Sequence, residues 1–175
     1  MAILIKEDII FHVLDLEMLP AHASYEGIFV NVPQRKGRDL VLGAIYRPPG
    51  LPLQDFIQEL NLLLPVLTRD NRKVLLSGDF NIDLLKIGEH ELTQDFLNVM
   101  NLFSLSPTMN YPTRVTDNSA TLIDNIFSNF IQEITDPTII IHDLADHFPI
   151  TLWFGDEIVI NAKKQSTTTR PVNDR

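Results

Sequence analysis

The sequence predicts a layered α/β (α+β) domain. Short apolar runs typical of buried strands alternate with two amphipathic helical segments, and a series of β-branched and aromatic runs follows. The chain has 175 residues, of which 45% are hydrophobic, enough to bury one substantial core. We expect a single domain over residues 1–157 and a polar tail or linker over residues 158–175.

The first strand and helix lie in the first half of the chain. Leu40–Tyr46 is a short apolar run, and the segment Arg47–Gly50 that closes it contains two prolines, which cannot continue a β-ladder. Pro52 suits a first helical position, and Pro65 should bend or end the helix near Leu64. The helix itself is predicted by seven apolar residues at three-and-four spacing: Leu53, Phe56, Ile57, Leu60, Leu63, Leu64 and Leu67.

A second strand and helix follow, and then several strands. Val74–Ser77 predicts a strand that ends at the turn residue Gly78, and Glu91–Asn101 predicts an amphipathic helix. Ser106–Asn118 is rich in Pro, Thr and Asn and indicates a loop. Three further strands are predicted at Thr121–Phe127, Thr138–His142 and Pro149–Phe154.

Charge and composition narrow the range of partners. The net charge of -9 repels phosphate at long range, so binding to nucleic acid would require local basic clusters or bound cations. The chain has no cysteine, which excludes disulfides and thiolate metal sites. No apolar run approaches the length of a membrane span, so we expect no membrane partner.

Acids and one histidine stand beside the predicted strands. The stretch Ser77–Asp83, SGDFNID, follows an apolar strand directly, and Asp124 lies inside another predicted strand. Asp146 and His147 precede the last strand. A buried carboxylate is unfavourable unless it is paired, so this pattern indicates either an assembled site or several satisfied turns. Taken alone, GDFN is a common turn composition, and Asp83 is expected to be solvated.

Phosphodiester hydrolysis is the reaction that would use this set. Asp79 would accept a proton from the attacking water, and Asn81 would orient that water. Asp146 would help to hold Mg²⁺, which prefers oxygen ligands. His147 would donate to the phosphate, and Asp124 would fix its ring and favour the imidazolium.

Five segments carry a family resemblance that spans Ala2 to Phe154. They are GAIYRPP (Gly43–Pro49), LLSGDFNIDLL (Leu75–Leu85), ELTQDFLNVMNLFSL (Glu91–Leu105), PTRVTDNSATLIDNIFSN (Pro112–Asn129) and DLADHFPI (Asp143–Ile150). In sequence and order they resemble the endonuclease/exonuclease/phosphatase superfamily. Within it, they are most similar to the endonuclease domain of jockey-like, LINE-type (non-LTR) retrotransposon polyproteins.

The resemblance implies a four-layer sandwich of two packed sheets flanked by helices, with a Mg²⁺ or Mn²⁺ site at one end of the sheets. It also implies DNA nicking, a reverse transcriptase domain in the parent polyprotein, and a nuclear location for a functional element. By motif, Asp79 and Asn81 match the water-activating acid and its amide. Asp124 matches the acid that orients the histidine, and Asp146 and His147 match the closing metal-side acid and the phosphate-contacting histidine. On this reading Asp79 also lies beside the metal.

Substrate contacts are expected from the motif loops. By resemblance, Tyr46 of YRPP matches a tyrosine that contacts the phosphate, and Arg47 lies in the same loop. Arg114 stands near Tyr111 in the run YPTRV, and an aromatic ring beside an arginine can stack on a base or grip a phosphate.

Two departures from the family pattern affect these expectations. Ala145 replaces the serine that usually precedes the Asp-His pair. The upstream family segment that carries an asparagine and the principal metal-binding glutamate has no counterpart in the sequence, so we expect a fragment truncated at its N-terminus. Impaired catalysis and self-association through unpaired sheet edges are the expected consequences.

Two other function classes remain open at this stage. One is a catalytically silent fragment that binds nucleic acid, and the other is a phosphomonoesterase or lipid phosphodiesterase on the same scaffold. The retrotransposon-like YRPP and PTRVT loops make the latter less favoured.

Overall fold

A six-stranded sheet forms the centre of the computed structural model, which describes residues 1–16, 24–155 and 158–160. Its strand order is β1-β2-β3-β4-β8-β5. β3 and β4 pair in parallel, whereas the other neighbours are antiparallel. The strands of this sheet are β1 (His12–Val13), β2 (Glu26–Val32), β3 (Leu40–Tyr46), β4 (Lys73–Asp79), β5 (Ser106–Pro107) and β8 (Asp124–Ser128).

Two helices cover one face of this sheet. Helix α1 spans Leu53–Thr68 and forms the crossover between the parallel strands β3 and β4, and α2 spans Glu91–Leu102. Phe56 of α1 and Phe96 of α2 stack with ring centroids 6.0 Å apart. Both rings are fully buried and belong to the larger of two apolar cores. Neither helix of the described ranges is long and apolar enough to cross a membrane.

Pro65 does not end α1, so of the two predicted effects, a bend or an end, the end is excluded. The helix continues to Thr68 with Pro65 inside it, and Leu67 in the extra turn is fully buried. An interior proline costs about 3 kcal/mol, and burying a leucine side chain contributes about 1.5–3 kcal/mol. Thr68 also donates its hydroxyl to the carbonyl of Leu64 at 2.8 Å, so the last turn keeps a hydrogen bond.

A hairpin covers the opposite face of the sheet. It is formed by β9 (Ile134–Ile139) and β10 (Ile150–Phe154), which pair antiparallel. Phe154 packs edge-on against the buried Phe130, with ring centroids 5.7 Å apart, within a second apolar core. The described residues therefore stack as helices, central sheet and hairpin, which confirms the predicted α/β sandwich class.

The boundaries of three predicted segments differ from expectation. The predicted loop Ser106–Asn118 contains β5 and also β6 (Arg114–Thr116), which pairs with β7 (Ser119–Thr121). The strand predicted over Thr121–Phe127 begins only at Asp124, and that predicted over Thr138–His142 ends at Ile139. β5 pairs with β8, which is distant in sequence and therefore not encoded by local composition, whereas β6 and β7 form a local hairpin around Asp117 and Asn118.

Part of the predicted tail is described. Ile158 and Ile160 form isolated bridges with Gln34 and Ile9, respectively. The rest of the segment predicted as a tail, from residue 161 onward, lies outside the described residues, as do residues 156 and 157.

Gly78 allows β3 and β4 to approach closely just before the strand ends. It pairs with Ile45, and a Cβ atom at position 78 would lie 1.8 Å from the carbonyl oxygen of Ile45. No real Cβ makes such a contact, so a side chain here would force the two strands apart.

We expect Gly78→Ala to lower the free energy of unfolding by about 3 kcal/mol, the upper end of what overpacking costs. Gly88→Ala is the matched control, because a Cβ at position 88 meets nothing within 4 Å. Urea unfolding of both variants measures the difference. Equal stabilities would contradict the close approach.

Tyr25 introduces a pH dependence of stability. The residue is buried against Phe56, and burial, with a smaller contribution from the charge of Glu59, raises the pKa of its hydroxyl. In the unfolded chain a tyrosine ionises near pH 10. Above that pH the unfolded state loses a proton that the folded state retains, so folding is destabilised as pH rises.

Between about pH 10 and the raised pKa, we expect the free energy of unfolding to fall more steeply for the natural chain than for Tyr25→Phe. The difference in slope should approach about 1.4 kcal/mol per pH unit. Denaturant titrations at several alkaline pH values measure both slopes. Parallel slopes would show that Tyr25 ionises equally in both states.

Candidate active site

Four polar residues line up across the end of the central sheet. Glu26 is paired with Tyr46, Tyr46 with Asp79, and Asp79 with Asp124, on the neighbouring strands β2, β3, β4 and β8. Residues opposite one another in a ladder point to the same face. Side chains alternate between the two faces along a strand, so Asp79 and Leu75, four residues apart, share one face. Leu75 belongs to the second core, under the hairpin, and the four polar residues therefore lie on the hairpin side of the sheet.

A tight turn after β4 fixes the Asp79 carboxylate. The backbone N–H of Asn81 donates to Asp79 Oδ1 at 2.9 Å, and Asn81 adopts the left-handed conformation with φ 48°. Asparagine tolerates that conformation better than most residues. The Asn81 amide nitrogen donates to the carbonyl oxygen of Arg47 at 2.8 Å, which leaves its amide oxygen as the group that could orient a water molecule.

Asp124 and His147 form a directly bonded pair. Nδ1 of His147 lies 3.0 Å and 3.2 Å from the two carboxylate oxygens of Asp124. The aspartate side chain is 17% exposed and the histidine 37%, so the ring reaches solvent while its partner is largely covered. The second ring nitrogen of His147 is therefore the one available to a ligand.

Asp79, Asp124 and His147 converge on one point. Each offers a ligand atom within 4.8 Å of the others, and this group could hold a divalent cation. Burial raises the pKa of Asp79, with a further contribution from the charge of Asp124; the Asn81 N–H and the charges of His147 and Arg114 oppose the rise. A carboxylate with a raised pKa is a better proton acceptor.

Asp146 and Arg114 are bonded to each other. Nε of Arg114 donates to Oδ2 of Asp146 at 2.8 Å, and the two side chains are 41% and 45% exposed. This hydrogen bond lowers the pKa of Asp146. Among the described residues Asp146 is not part of the convergent group, so its role as a metal ligand stays a prediction.

Arg47 has a structural position that the sequence did not indicate. The residue is 6% exposed, and its guanidinium donates to the carbonyl oxygens of Phe80, Leu51 and Asn81 at 2.8–2.9 Å. These bonds tie the loop after β3 to the turn that carries Asp79. The contacts assign Arg47 to holding that turn, which differs from the substrate contact expected from its motif.

The two predicted aromatic contacts lie in different environments. Tyr46 is half-buried in the row of strand ends, next to Asp79. Tyr111 is 69% exposed and lines a cavity of about 660 Å³ that Val115 and Phe148 also border. These two follow Arg114 and His147 directly in the chain, so the cavity adjoins the site.

Comparison with known proteins identifies the fold. No protein-family model and no curated protein matches the sequence. The endonuclease domain of TRAS1, a telomere-specific non-LTR retrotransposon, superposes with a TM-score of 0.62 at 14% identity, covering 81% of this chain and 66% of that domain. An endonuclease/exonuclease/phosphatase family protein from Leptotrichia buccalis superposes with a TM-score of 0.56 at 18% identity, covering 74% and 53%. The chain has the endonuclease/exonuclease/phosphatase fold.

A 3'-5' exonuclease (NExo) from Neisseria meningitidis shares this fold, with a TM-score of 0.58 at 17% identity over 82% of this chain and 70% of that one. The chain thus spans just under two thirds of the TRAS1 domain and about half of the Leptotrichia protein. At these identities the comparisons establish the endonuclease/exonuclease/phosphatase fold, and the site chemistry depends on the residues described above.

Thr113 was missed by sequence reasoning, yet it connects the site segments of this endonuclease/exonuclease/phosphatase fold. It is fully buried, and its hydroxyl accepts from the N–H of Asp124 at 3.0 Å. Its carbonyl accepts from the N–H of Phe148 at 2.7 Å. One residue thereby joins the start of β8 to the loop that carries His147. A buried threonine carries no chemical signature in the sequence that would have revealed this.

Asp83 was expected to be solvated, and that expectation was wrong. Its side chain is 14% exposed, and Oδ1 accepts from the N–H groups of Leu122 and Leu85 at 3.0 Å and 3.2 Å. The carboxylate links the turn after β4 to the segment that leads into Asp124. Its partner Leu122 lies 39 residues away, beyond the reach of local sequence patterns.

Thr113→Val should lower the free energy of unfolding by about 1–3 kcal/mol, because valine keeps the shape but leaves the buried N–H of Asp124 without an acceptor. Thr151→Val on the exposed face of β10 is the control and should change stability by less than about 0.5 kcal/mol. Denaturant unfolding distinguishes the two, and a Thr113 variant as stable as its control would rule out the connection.

Proposed function

We propose that this chain is a divalent-cation-dependent phosphodiesterase that acts on DNA. The observation that carries the proposal is the convergence of Asp79, Asp124 and His147 at the end of the central sheet. Hydrolysis of a phosphodiester requires a proton acceptor for water and a donor toward the phosphate, and these three residues supply both.

The roles of the side chains follow from their contacts. Asp79 accepts the proton of the attacking water, favoured by its raised pKa, and the Asn81 amide oxygen orients that water. The outer nitrogen of His147 donates to a phosphate oxygen. Asp124 fixes the orientation of the ring through its contact with Nδ1.

Mg²⁺ or Mn²⁺ fits the donor set, because carboxylate oxygens are the ligands that these cations prefer. From the family resemblance we assign Asp79 and Asp146 as ligands; Asp124 is bonded to His147, and Asp146 is bonded to Arg114. When bound, the cation neutralises charge that develops on the phosphate. Among the described residues the convergent group contains no glutamate, so we expect slow turnover.

DNA is the substrate that we favour. The motif loops resemble non-LTR retrotransposon endonucleases, and the TRAS1 endonuclease domain has the same fold. The proposed biological role is nicking of chromosomal DNA in the nucleus by an element that also encodes a reverse transcriptase. Arg114 and Tyr111 would contact the DNA backbone or a base. Self-association through sheet edges stays a prediction.

Two alternatives remain. A silent nucleic-acid-binding protein is favoured by the absence of a glutamate from the described convergent group. A phosphomonoesterase or lipid phosphodiesterase would use the same group of residues on another substrate.

Nicking of supercoiled plasmid in the presence of Mg²⁺ or Mn²⁺ tests the proposal. Asp79→Asn and His147→Gln should each reduce the nicking rate at least about 100-fold, since each removes a proton-transfer group. Asp117→Asn at the β6–β7 turn and His90→Gln before α2 are matched controls outside the convergent group, and both should nick at the natural rate.

Each alternative function predicts a different result. DNA retention without nicking under either cation supports the silent binding protein. Release of phosphate from a monoester or of headgroup from a lipid, with intact plasmid, supports the other class. Nicking that survives Asp79→Asn and His147→Gln unchanged would refute the assigned roles.

A further inference from the structure

We infer that Asp146 and Arg114 couple cation binding to DNA binding, so that Arg114 contacts a phosphate only when Asp146 holds a divalent cation. The inference rests on the proposed function and adds to it an order of events at the site. It starts from the observation that a predicted metal ligand and a predicted DNA ligand are bonded to each other at 2.8 Å.

The backbone holds this pair in place. The N–H of Val115 donates to the carbonyl of Asp146 at 2.9 Å, and the backbones of Arg114 and His147 form an isolated antiparallel β-bridge. The N–H of Phe148 donates to the carbonyl of Thr113 at 2.7 Å. The two segments therefore run side by side, and their register brings the side chains of Arg114 and Asp146 together.

The pair is accessible and lies beside the convergent group. Both side chains are nearly half exposed, so a cation and a phosphate can reach them. Asp146 precedes His147 directly, and the charge of Arg114 lowers the pKa of Asp79. The positive charge of Arg114 therefore acts on Asp79 even though the Arg114 side chain is bonded to Asp146.

Arg114 and a divalent cation compete for the carboxylate of Asp146. While Asp146 accepts from Arg114, its charge offsets the guanidinium, and a phosphate meets a nearly neutral pair. When Asp146 binds a cation, its negative charge is taken up, and its hold on Arg114 weakens. The guanidinium then turns its donors to a DNA phosphate. Linkage makes the effect reciprocal, so DNA that engages Arg114 also favours cation binding at Asp146.

The expected size of the coupling is modest. Exposed ion pairs are weak, so we expect the contribution of Arg114 to DNA affinity to rise about two- to fivefold when cation is present. The measured quantity is the Kd of Arg114→Gln divided by the Kd of the natural chain, compared with and without Mg²⁺. The comparison is needed because divalent cations also change overall DNA binding through screening and counterion release.

The experiment measures the affinity of the full chain for a fluorescein-labelled duplex by anisotropy, with and without Mg²⁺, at ionic strength matched with KCl. Arg114→Gln is compared with the natural chain. Its Kd ratio to the natural chain should be near one without Mg²⁺ and about two- to fivefold higher with it. Denaturing gels confirm that the duplex remains intact during the titration.

Asp146→Asn supplies the decisive background. It removes the charge that holds Arg114, so Arg114→Gln should weaken DNA binding in this background even without Mg²⁺, and Mg²⁺ should not enlarge that loss. Arg69→Gln is the control: Arg69 follows α1, ahead of the start of β4, whereas the site lies at the end of β4. Its Kd ratio should not change with Mg²⁺.

The outcomes separate this inference from the proposed function. A Kd ratio for Arg114→Gln that is the same with and without Mg²⁺ overturns the coupling, even if the chain binds and nicks DNA. A chain that binds no DNA in either condition overturns both the coupling and DNA as the substrate. An effect of Mg²⁺ that persists in the Asp146→Asn background overturns the assignment to Asp146.

Discussion

The register of three strands is the constraint on which the site depends. β3, β4 and β8 pair so that Tyr46, Asp79 and Asp124 end side by side. A slip of one residue would turn Asp79 to the helix face and bring Gly78 out of its close approach to Ile45. The apolar side chains that fix this register lie in both cores, so burial on two faces sets the position of a polar site at the sheet's end.

The site balances acids against cations within a small space. Burial and the charge of Asp124 raise the pKa of Asp79, whereas the Asn81 N–H and the charges of His147 and Arg114 oppose the rise. Such an arrangement places a proton acceptor next to a proton donor, which a hydrolytic site requires. In the proposed function, the few positive groups of this acidic protein, His147 and Arg114, lie beside the position of the phosphate.

Sequence patterns predicted the features that depend on residues close together in the chain or on recognisable motifs. The bounds of β3 agree with the prediction, because a strand buried on both faces appears as a continuous apolar run. The convergence of Asp79, Asp124 and His147 followed from the order of motifs. The burial of Arg47 did not, because its acceptors lie up to 34 residues away and become neighbours only when the sheet forms. The bond of Asp146 to Arg114, 32 residues apart, was hidden for the same reason.

Crystals soaked in Mn²⁺ and measured at its absorption edge give the most direct test of the convergent site. We predict an anomalous difference peak within about 2.5 Å of a carboxylate oxygen of Asp79, with His147 and Asp124 in contact beside it. Saturating Mn²⁺ that gives no peak at Asp79, or electron density that shows His147 turned away from Asp124, would contradict the account.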